Sequence, residues 1–267
     1  MNATSHPPTL VIGDIHHRTD LADSAIAQFA APCERIVFLG DYFDEFGDGP
    51  DRMRGTCRWL RRSIDDPRRT HLIGNHDFSY MLPSHPQAWC PGWSSEKQSV
   101  FDEELGSNSI DRFRIASQVG PWLISHAGLS ADDFDTMGSI GLLGQLERAF
   151  SIARLGSRSR LFEKGPARGG SDLNGGILWQ DWSREFRPTA GIHQIVGHTQ
   201  AKGTARAKCL TATGTHRTFE FDQTSLQSRR QTLTKPSPEW ASVNWCLDTQ
   251  QVLVGIIESG CLKLVHV

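Results

Sequence analysis

Short apolar runs alternate with polar clusters and helical stretches through much of the chain. Five runs of aliphatic and β-branched residues each lead into a cluster of Gly, Asp, Asn, Ser or His. These runs are 9–12, 35–39, 71–73, 122–124 and 194–196. Alternation of strands with helical segments is typical of an α/β fold. Because open α/β sheets bind ligands beyond the carboxyl ends of their strands, we expect the functional site at these polar clusters.

Two helices are predicted between the first three runs. The first begins near Thr19 or Asp20 and stops before Pro32. The second carries an apolar stripe at i, i+4, i+7 and i+11 from Met53 to Ile64. Seven arginines lie between residues 52 and 69. Opposite an apolar stripe they favour a solvated helix face over a phosphate-binding surface.

Three later stretches depart from this pattern. Residues 80–111 are rich in Pro, Trp, Ser and Gly, and residues 131–176 combine a helical segment with a Gly-rich one. We predict both to be cap insertions in a single domain of residues 1–267. Residues 202–240 are predicted to be an extended link. The apolar runs 243–247, 252–257 and 261–265 are expected to be antiparallel strands that close a second sheet.

Composition excludes several classes of protein. With 267 residues, 38% hydrophobic and 22% charged, the chain can bury a sizeable core and is not disordered. A formal net charge of -2 argues against stable binding of nucleic acid or an anionic membrane. No membrane-length apolar run or signal-peptide pattern is evident, so we expect a cytoplasmic protein. The six scattered cysteines are expected to be reduced thiols without assigned chemistry.

Taken together, the five polar clusters have the residue types of a dinuclear metal site. They read GDIH at 13–16, GDYFD at 40–44, GNHD at 74–77, SHAG at 125–128 and GHT at 197–199. Carboxylates, imidazoles and an amide oxygen suit divalent cations of borderline to hard character. Two cations about 3.5–4 Å apart need a ligand that touches both, and Asp41 is the candidate bridge. Asp14 and His16 are expected at one ion. The other ion is expected to take Asn75, His126 and His198.

These blocks resemble the calcineurin-like metallophosphoesterase superfamily, and their spacing is similar to its phosphoprotein (serine/threonine) phosphatase branch. Residues 178–181 (LWQD) and 244–249 also resemble segments of that branch. The resemblance implies a four-layer αββα sandwich, with two mixed sheets flanked by helices. It further implies hydrolysis of phosphate esters at a dinuclear centre. It assigns the same six ligands: Asp14, His16, Asp41, Asn75, His126 and His198.

The resemblance also implies a mechanism. Two divalent ions lower the pKa of a bridging water, and the resulting hydroxide attacks phosphorus in line with the leaving oxygen. The family pattern places His76 beside that oxygen as general acid, with Asp44 orienting its imidazole. We expect manganese first; iron, zinc, magnesium, nickel and cobalt are the alternatives.

Three residues depart from the family pattern. Glu45 stands where many members have an arginine that binds the substrate phosphate, and we expect Arg18 or Arg168 to replace it. His17 stands where glycine is usual; it either donates a hydrogen bond behind the ligands or faces solvent, and solvent is favoured. Gln200 replaces a second metal histidine found in many phosphodiesterases of the superfamily, which predicts more water ligands on the first ion.

The sequence therefore predicts a metal-dependent phosphatase. Its substrate is expected to be a phosphorylated protein carrying phosphoserine or phosphothreonine, or a small phosphomonoester. One alternative is a dinucleoside polyphosphate hydrolase or nucleotide phosphoesterase. A second is a non-catalytic interaction scaffold of the same fold, which the complete ligand set and the retained His76 and Asp44 disfavour.

Overall fold

The computed structural model describes residues 7–130, 133, 141–222, 224 and 237–267. Its elements, in chain order, are β1 (Thr9–Ile12), α1 (Thr19–Phe29), β2 (Arg35–Phe38), α2 (Pro50–Ser63), β3 (Arg69–Leu72), α3 (Asn75–Met81), α4 (Ser95–Glu104), β4 (Phe113–Arg114), β5 (Ala116–Val119), β6 (Trp122–Ser125), α5 (Leu142–Ala153), β7 (His193–Val196), β8 (Ala205–Thr211), β9 (His216–Phe221), β10 (Trp240–Cys246), β11 (Leu253–Glu258) and β12 (Cys261–His266). Short 3₁₀ helices lie at Ser107–Arg112, Arg160–Phe162 and Pro166–Arg168.

The strands form two six-stranded sheets. The first has the order β12-β11-β1-β2-β3-β4 and the second the order β5-β6-β7-β10-β8-β9. In the first sheet, β1, β2, β3 and β4 run parallel to one another, and β11 and β12 pair antiparallel. In the second sheet, β6, β7 and β10 run parallel, and β5, β8 and β9 pair antiparallel. Two mixed sheets flanked by helices confirm the predicted sandwich.

Alternating residues of the central strands bury opposite faces. In β1, Leu10 and Ile12 pack in a cluster with residues of α1 and α2, whereas Val11 packs in the cluster between the sheets. In β2, Phe38 and Val37 divide in the same way. Since successive side chains of a strand point to opposite faces, a strand covered on both faces is apolar throughout. This explains why these strands read as continuous apolar runs.

The five predicted strands divide between the two sheets. β1, β2 and β3 lie in the first sheet, and β6 and β7 lie in the second. The polar clusters that follow them meet where the carboxyl ends of both sheets converge.

The prediction for the last three strands was wrong in part. β11 and β12 extend the first sheet, with β11 antiparallel to β1, and only β10 joins the second sheet, parallel to β7. Leu253 and Ile257 of β11 pack between the sheets together with Val11. An apolar run predicts a strand, but its partner is decided by packing against residues far away in the sequence.

The predicted link contains strands. β8 and β9 pair with each other, and β8 pairs with β10, so they widen the second sheet. Residues 223 and 225–236 of that stretch, 131–132 and 134–140 of the second predicted cap, and 1–6 lie outside the described residues. The single-domain and cap assignments stay predictions. Within the described ranges, no helix has the length and apolar composition needed to cross a bilayer.

His71 of β3 is a buried histidine at the α2 side of the first sheet. Its ring stacks on Phe38 with centroids 4.6 Å apart, its Nδ1 lies 2.8 Å from Tyr42 Oη, and its Nε2 lies 3.1 Å from Ser63 Oγ. Burial lowers the pKa of His71 to about 3. The folded protein therefore holds this imidazole neutral.

We expect this histidine to make stability fall in mild acid. The unfolded chain takes up a proton at His71 near its ordinary pKa of 6.5, while the folded chain does so only near 3. The unfolded state thus binds more protons between these two pH values. The contribution of His71 to the free energy of unfolding is complete above pH 6.5 and declines by about 1.4 kcal/mol per pH unit as the pH falls below 6.5. Urea unfolding from pH 4.5 to 7.5 should show a shallower decline for His71→Gln. Exposed His216→Gln is the control, and equal slopes for His71→Gln and wild type would contradict the expectation.

Candidate metal centre

The predicted metal ligands and the predicted pair His76 and Asp44 lie in the segments that follow the strands. Asp14 and His16 follow β1, and Asp41 and Asp44 follow β2. Asn75 and His76 begin α3 directly after β3, His126 follows β6, and His198 follows β7.

The structure brings the six predicted ligands together in two overlapping groups. The ligand atoms of Asp14, His16 and Asp41 lie within 4.8 Å of one another, as do those of Asp41, His126 and His198. Asn75 Oδ1 joins the second group, 3.0 Å from His126 Nε2. Asp41 belongs to both groups, which is the arrangement that a bridging carboxylate requires.

Backbone carbonyls set the tautomers of two of these histidines. His16 Nδ1 lies 2.6 Å from the carbonyl oxygen of Asp44, and His126 Nδ1 lies 2.8 Å from that of Leu39. A ring nitrogen facing a carbonyl donates its hydrogen, so Nε2 is left to face the group. His126 Nε2 is 3.3 Å and His16 Nε2 is 3.8 Å from Asp41 Oδ2. These imidazoles are oriented as metal ligands are.

The charges of the site favour a cation. Burial raises the pKa of Asp14 well above its ordinary value, and the carboxylates of Asp248 and Asp41 raise it further. Burial alone would lower the pKa of His126, but Asp41 outweighs it and raises that pKa to about 9. A proton on His126 thus offsets part of the buried negative charge, and a bound cation would displace it.

The amide of Asn75 presents its oxygen to other acceptors. Asn75 Oδ1 lies 3.3 Å from Asp41 Oδ2 and 3.3 Å from the carbonyl oxygen of Leu178. Its Nδ2 donates instead to Cys90 Sγ, at 3.2 Å. The carboxylate, amide and imidazole donors of the two ligand groups fit divalent ions of borderline to hard character. The residues present therefore fit the implied cations.

The backbone of the site is held in an unfavourable conformation. His16, Asp41, Asp44 and His198 have φ of 40°, 48°, 63° and 65°. The left-handed region costs a non-glycine residue about 1 kcal/mol. Glycine is required beside the ligands, because a Cβ at Gly74 would overlap Asp41 Oδ1. The fold thus holds the backbone of His16, Asp41 and His198 in a defined conformation without a bound ion.

Asp77 braces this loop geometry, a role that the sequence did not single out. Its carboxylate accepts hydrogen bonds of 2.8 Å from the backbone N–H groups of Asp41, Tyr42 and Gly74. These donors belong to two successive strand–helix connections. One buried carboxylate therefore ties together the backbones that carry Asp41 and Asn75.

His76 and Asp44 form the predicted pair. His76 Nδ1 lies 2.8 Å from Asp44 Oδ2, and the other oxygen of Asp44 accepts from Tyr80 Oη at 2.7 Å and from Lys97 Nζ at 2.6 Å. Burial opposes ionisation of Asp44, but the hydrogen bond and charge of His76 hold its pKa below the ordinary value. Burial likewise opposes protonation of His76, but Asp41 and then Asp44 raise its pKa well above 6.5. The pair is an imidazolium held by a carboxylate.

Three further residues of the site were missed. Tyr80 and Lys97 come from the first predicted cap, where no pattern indicates a contact with Asp44. Asp248 follows β10, is 2% exposed and lines the same cavity as His16 and Asp41. An aspartate just beyond an apolar strand is the same signal that identified Asp14 and Asp41, so the sequence could have identified Asp248.

The expectation that His17 faces solvent was wrong. His17 is 8% exposed; its Nε2 lies 2.7 Å from Asp48 Oδ2 and its Nδ1 lies 2.8 Å from Thr56 Oγ1. These two polar partners make burial of the imidazole tolerable. His17 therefore supports the loop behind the ligands.

The two predicted substrate-binding arginines differ in placement. Arg18 pairs with Glu45 at 3.2 Å, and Arg52 pairs with the same carboxylate. Arg18 is not among the residues that line the cavity at the ligands, whereas Arg168 is, 3.2 Å from Asp181. This cavity has a volume of about 370 Å³ and also includes Gln200. The substrate-binding roles of Arg18 and Arg168 stay predictions, and of the two only Arg168 lines this cavity.

A family model for calcineurin-like phosphoesterases matches residues 7–222. The chain belongs to this family. As a calcineurin-like phosphoesterase, it is a phosphoric ester hydrolase of a family that typically binds divalent metals. No curated protein sequence matches it.

Solved structures similar to this phosphoesterase include phosphatases. A cold-active protein-tyrosine phosphatase of a psychrophilic Shewanella species has 14% identity and a TM-score of 0.56, over 97% of this chain and 78% of that one. Another structure of a cold-active protein tyrosine phosphatase has 13% identity and a TM-score of 0.59, over 97% and 76%. A metallophosphoesterase from Sphaerobacter thermophilus has 13% identity and a TM-score of 0.44, over 99% and 88%. At these identities, the first two show a shared fold.

Proposed function

We propose that the protein is a divalent-metal-dependent phosphatase that hydrolyses phosphomonoesters. The observation that carries this proposal is the pair of overlapping ligand groups sharing Asp41, with the His76–Asp44 pair in the same cavity. A scaffold that only binds partners would not need an imidazolium aimed into a metal cavity.

The six ligands divide between two cations. Asp14, His16 and Asp41 would hold one, and Asp41, Asn75, His126 and His198 the other, with manganese as the first candidate. Bound there, two divalent ions supply an activated water and neutralise phosphoryl oxygens. The proposed substrate is a phosphorylated protein segment carrying phosphoserine or phosphothreonine, or a small phosphomonoester.

His76 supplies the proton that the leaving group needs. Its Nδ1 is engaged by Asp44, so Nε2 is the nitrogen free to donate to the ester oxygen. Lys97 and Tyr80 fix the far oxygen of Asp44, which keeps the carboxylate turned towards His76.

Five buried cysteines and one partly exposed cysteine, all unpaired, agree with the reducing environment of the cytoplasm.

A metal-reconstitution assay tests the proposed function. Protein stripped with a chelator should release no p-nitrophenol from p-nitrophenyl phosphate, and addition of Mn²⁺ should restore release. Hydrolysis of dinucleoside polyphosphates without any hydrolysis of monoesters would favour that alternative activity. Binding of Mn²⁺ without hydrolysis of any phosphate ester would favour the scaffold and overturn the proposal.

A further inference from the structure

We propose that Lys164 binds the substrate's phosphoryl group and that the ring of Trp89 contacts the leaving group, so that aryl phosphomonoesters are preferred. The inference rests on the proposed phosphomonoesterase function. It concerns residues of the two predicted caps, which the ligand motifs do not include.

Lys164 is held by two indole rings. Its Nζ lies 4.5 Å from the ring centroid of Trp89 and 4.2 Å from that of Trp179, and it donates to the backbone oxygen of Trp89 at 2.6 Å. An ammonium ion is attracted to the face of each ring. The side chain is therefore fixed in position rather than free in solvent.

The charge of Lys164 is not neutralised by a carboxylate. Across residues 7–130, 133, 141–222, 224 and 237–267, no Asp or Glu forms an ion pair with it, whereas Lys97 has Asp44 and Asp48 and Arg168 has Asp181. One of its three N–H groups is used by Trp89, and two remain for an anionic ligand. Partial burial, which lowers the pKa of Lys164, adds to the gain from such a ligand.

Lys164 lies in the cavity of the proposed metal ligands, with the ring of Trp179 between it and His198. Trp179 contacts its ammonium on one side and meets the ring of His198 edge to face, 6.1 Å between centroids. Lys164, Trp179 and His198 line the same cavity as Asp41 and His76. A phosphoryl group at the ligands would therefore lie within reach of this ammonium.

Lys164 also accounts for the departure at Glu45. Glu45 cannot bind a phosphoryl dianion, and its charge is taken up by Arg18 and Arg52. Arg18 and Arg52 are thus both paired with Glu45 rather than free to bind a phosphoryl group. Lys164 places one on the wall formed by the caps.

Trp89 is an exposed aromatic side chain in the wall of the cavity that holds His76. It is 68% exposed, although tryptophan is usually buried, and its backbone is held by Lys164. Trp89 lines the same cavity as His76, and the next residue, Cys90, has its Sγ 3.3 Å from Nδ1 on the far side of the His76 ring. Because His76 protonates the leaving oxygen, the group attached to that oxygen lies near Trp89. A flat aromatic group would gain most from this contact.

Binding of inorganic phosphate tests the role of Lys164 without catalysis. Titration calorimetry on Mn²⁺-loaded protein should give a dissociation constant at least about 10-fold weaker for Lys164→Met than for wild type, and an intermediate one for Lys164→Arg. Lys263→Met, which removes an exposed lysine of β12, should bind as wild type does. Equal affinities for wild type and a folded Lys164→Met would overturn the proposal. So would a metal-loaded wild type that binds no phosphate.

Turnover tests the role of Trp89. Trp89→Leu should lower kcat/KM for phenyl phosphate by about 10-fold and leave that for ethyl phosphate nearly unchanged, because only the aromatic leaving group loses a stacking partner. Equal losses on both substrates, or none, would overturn the aryl preference. If the wild type hydrolyses neither ester with any divalent metal, both the proposed function and the aryl preference fail, while phosphate affinity still decides the role of Lys164.

Discussion

Replacing His76 by asparagine should lower kcat by about 10²- to 10⁴-fold while both metal ions remain bound. His76 donates no ligand atom to either group of metal-binding side chains; its Nδ1 faces Asp44, and its backbone N–H donates to Asp41 Oδ1 at 3.0 Å. An asparagine preserves that backbone contact and removes the acidic imidazole. The loss should therefore fall on turnover of esters with poor leaving groups, such as ethyl phosphate, more than on p-nitrophenyl phosphate.

Metal content and activity must be measured on the same preparation. Elemental analysis gives the metal per chain, and steady-state kinetics give kcat. Asp44→Asn should show a similar loss, and the double variant should be little worse than either single one, because the two side chains act as a unit. Full activity in folded His76→Asn would remove His76 from the mechanism, and loss of a metal ion would make it a structural part of the metal site.

Replacing Asp14 by asparagine should change stability in opposite directions with and without metal. With Mn²⁺, the variant should lose one of two ions and about 10³-fold in kcat, since each ion contributes several kcal/mol to the transition state. Without metal, it should be more stable than wild type by about 1 kcal/mol, because a buried carboxylate beside Asp248 and Asp41 is lost. The backbone N–H of His198 donates to Asp14 Oδ2 at 2.9 Å in the wild type, and the amide oxygen of the asparagine can accept the same hydrogen bond.

Thermal unfolding in Mn²⁺ and in chelator measures the change in stability of Asp14→Asn in each condition. Asp65→Asn, which alters an exposed carboxylate that belongs to neither ligand group, should change neither value. A metal-free Asp14→Asn protein that is less stable than metal-free wild type, and that binds two ions as tightly, would contradict the ligand assignment of Asp14.

Four of the five strand ends that carry ligands were predictable from one local pattern. An apolar strand followed by a glycine and a polar side chain identified Asp14, Asp41, Asn75 and His198, and the structure brings these residues together. The pattern is local, since burial on both faces makes each strand apolar and the ligand follows where the strand stops. The same reasoning would have included Asp248.

What could not be predicted depends on contacts between distant segments. β11 and β12 joined the first sheet because Leu253 and Ile257 pack beside Val11, and no feature of their own sequence indicates that partner. Likewise, Lys97 reaches Asp44 from α4, and His17 finds Asp48 and Thr56. The pairing of Arg18 with Glu45 is another contact that the sequence did not indicate.

The division of the ligands between the two sheets ties chemistry to the assembled molecule. Asp14, His16, Asp41 and Asn75 are carried by the first sheet, and His126 and His198 by the second. Two cations bound by these ligands would therefore connect the two sheets. A displacement of one sheet relative to the other would separate the ligands. A partly folded chain would therefore lack the metal site and could not hydrolyse phosphate esters.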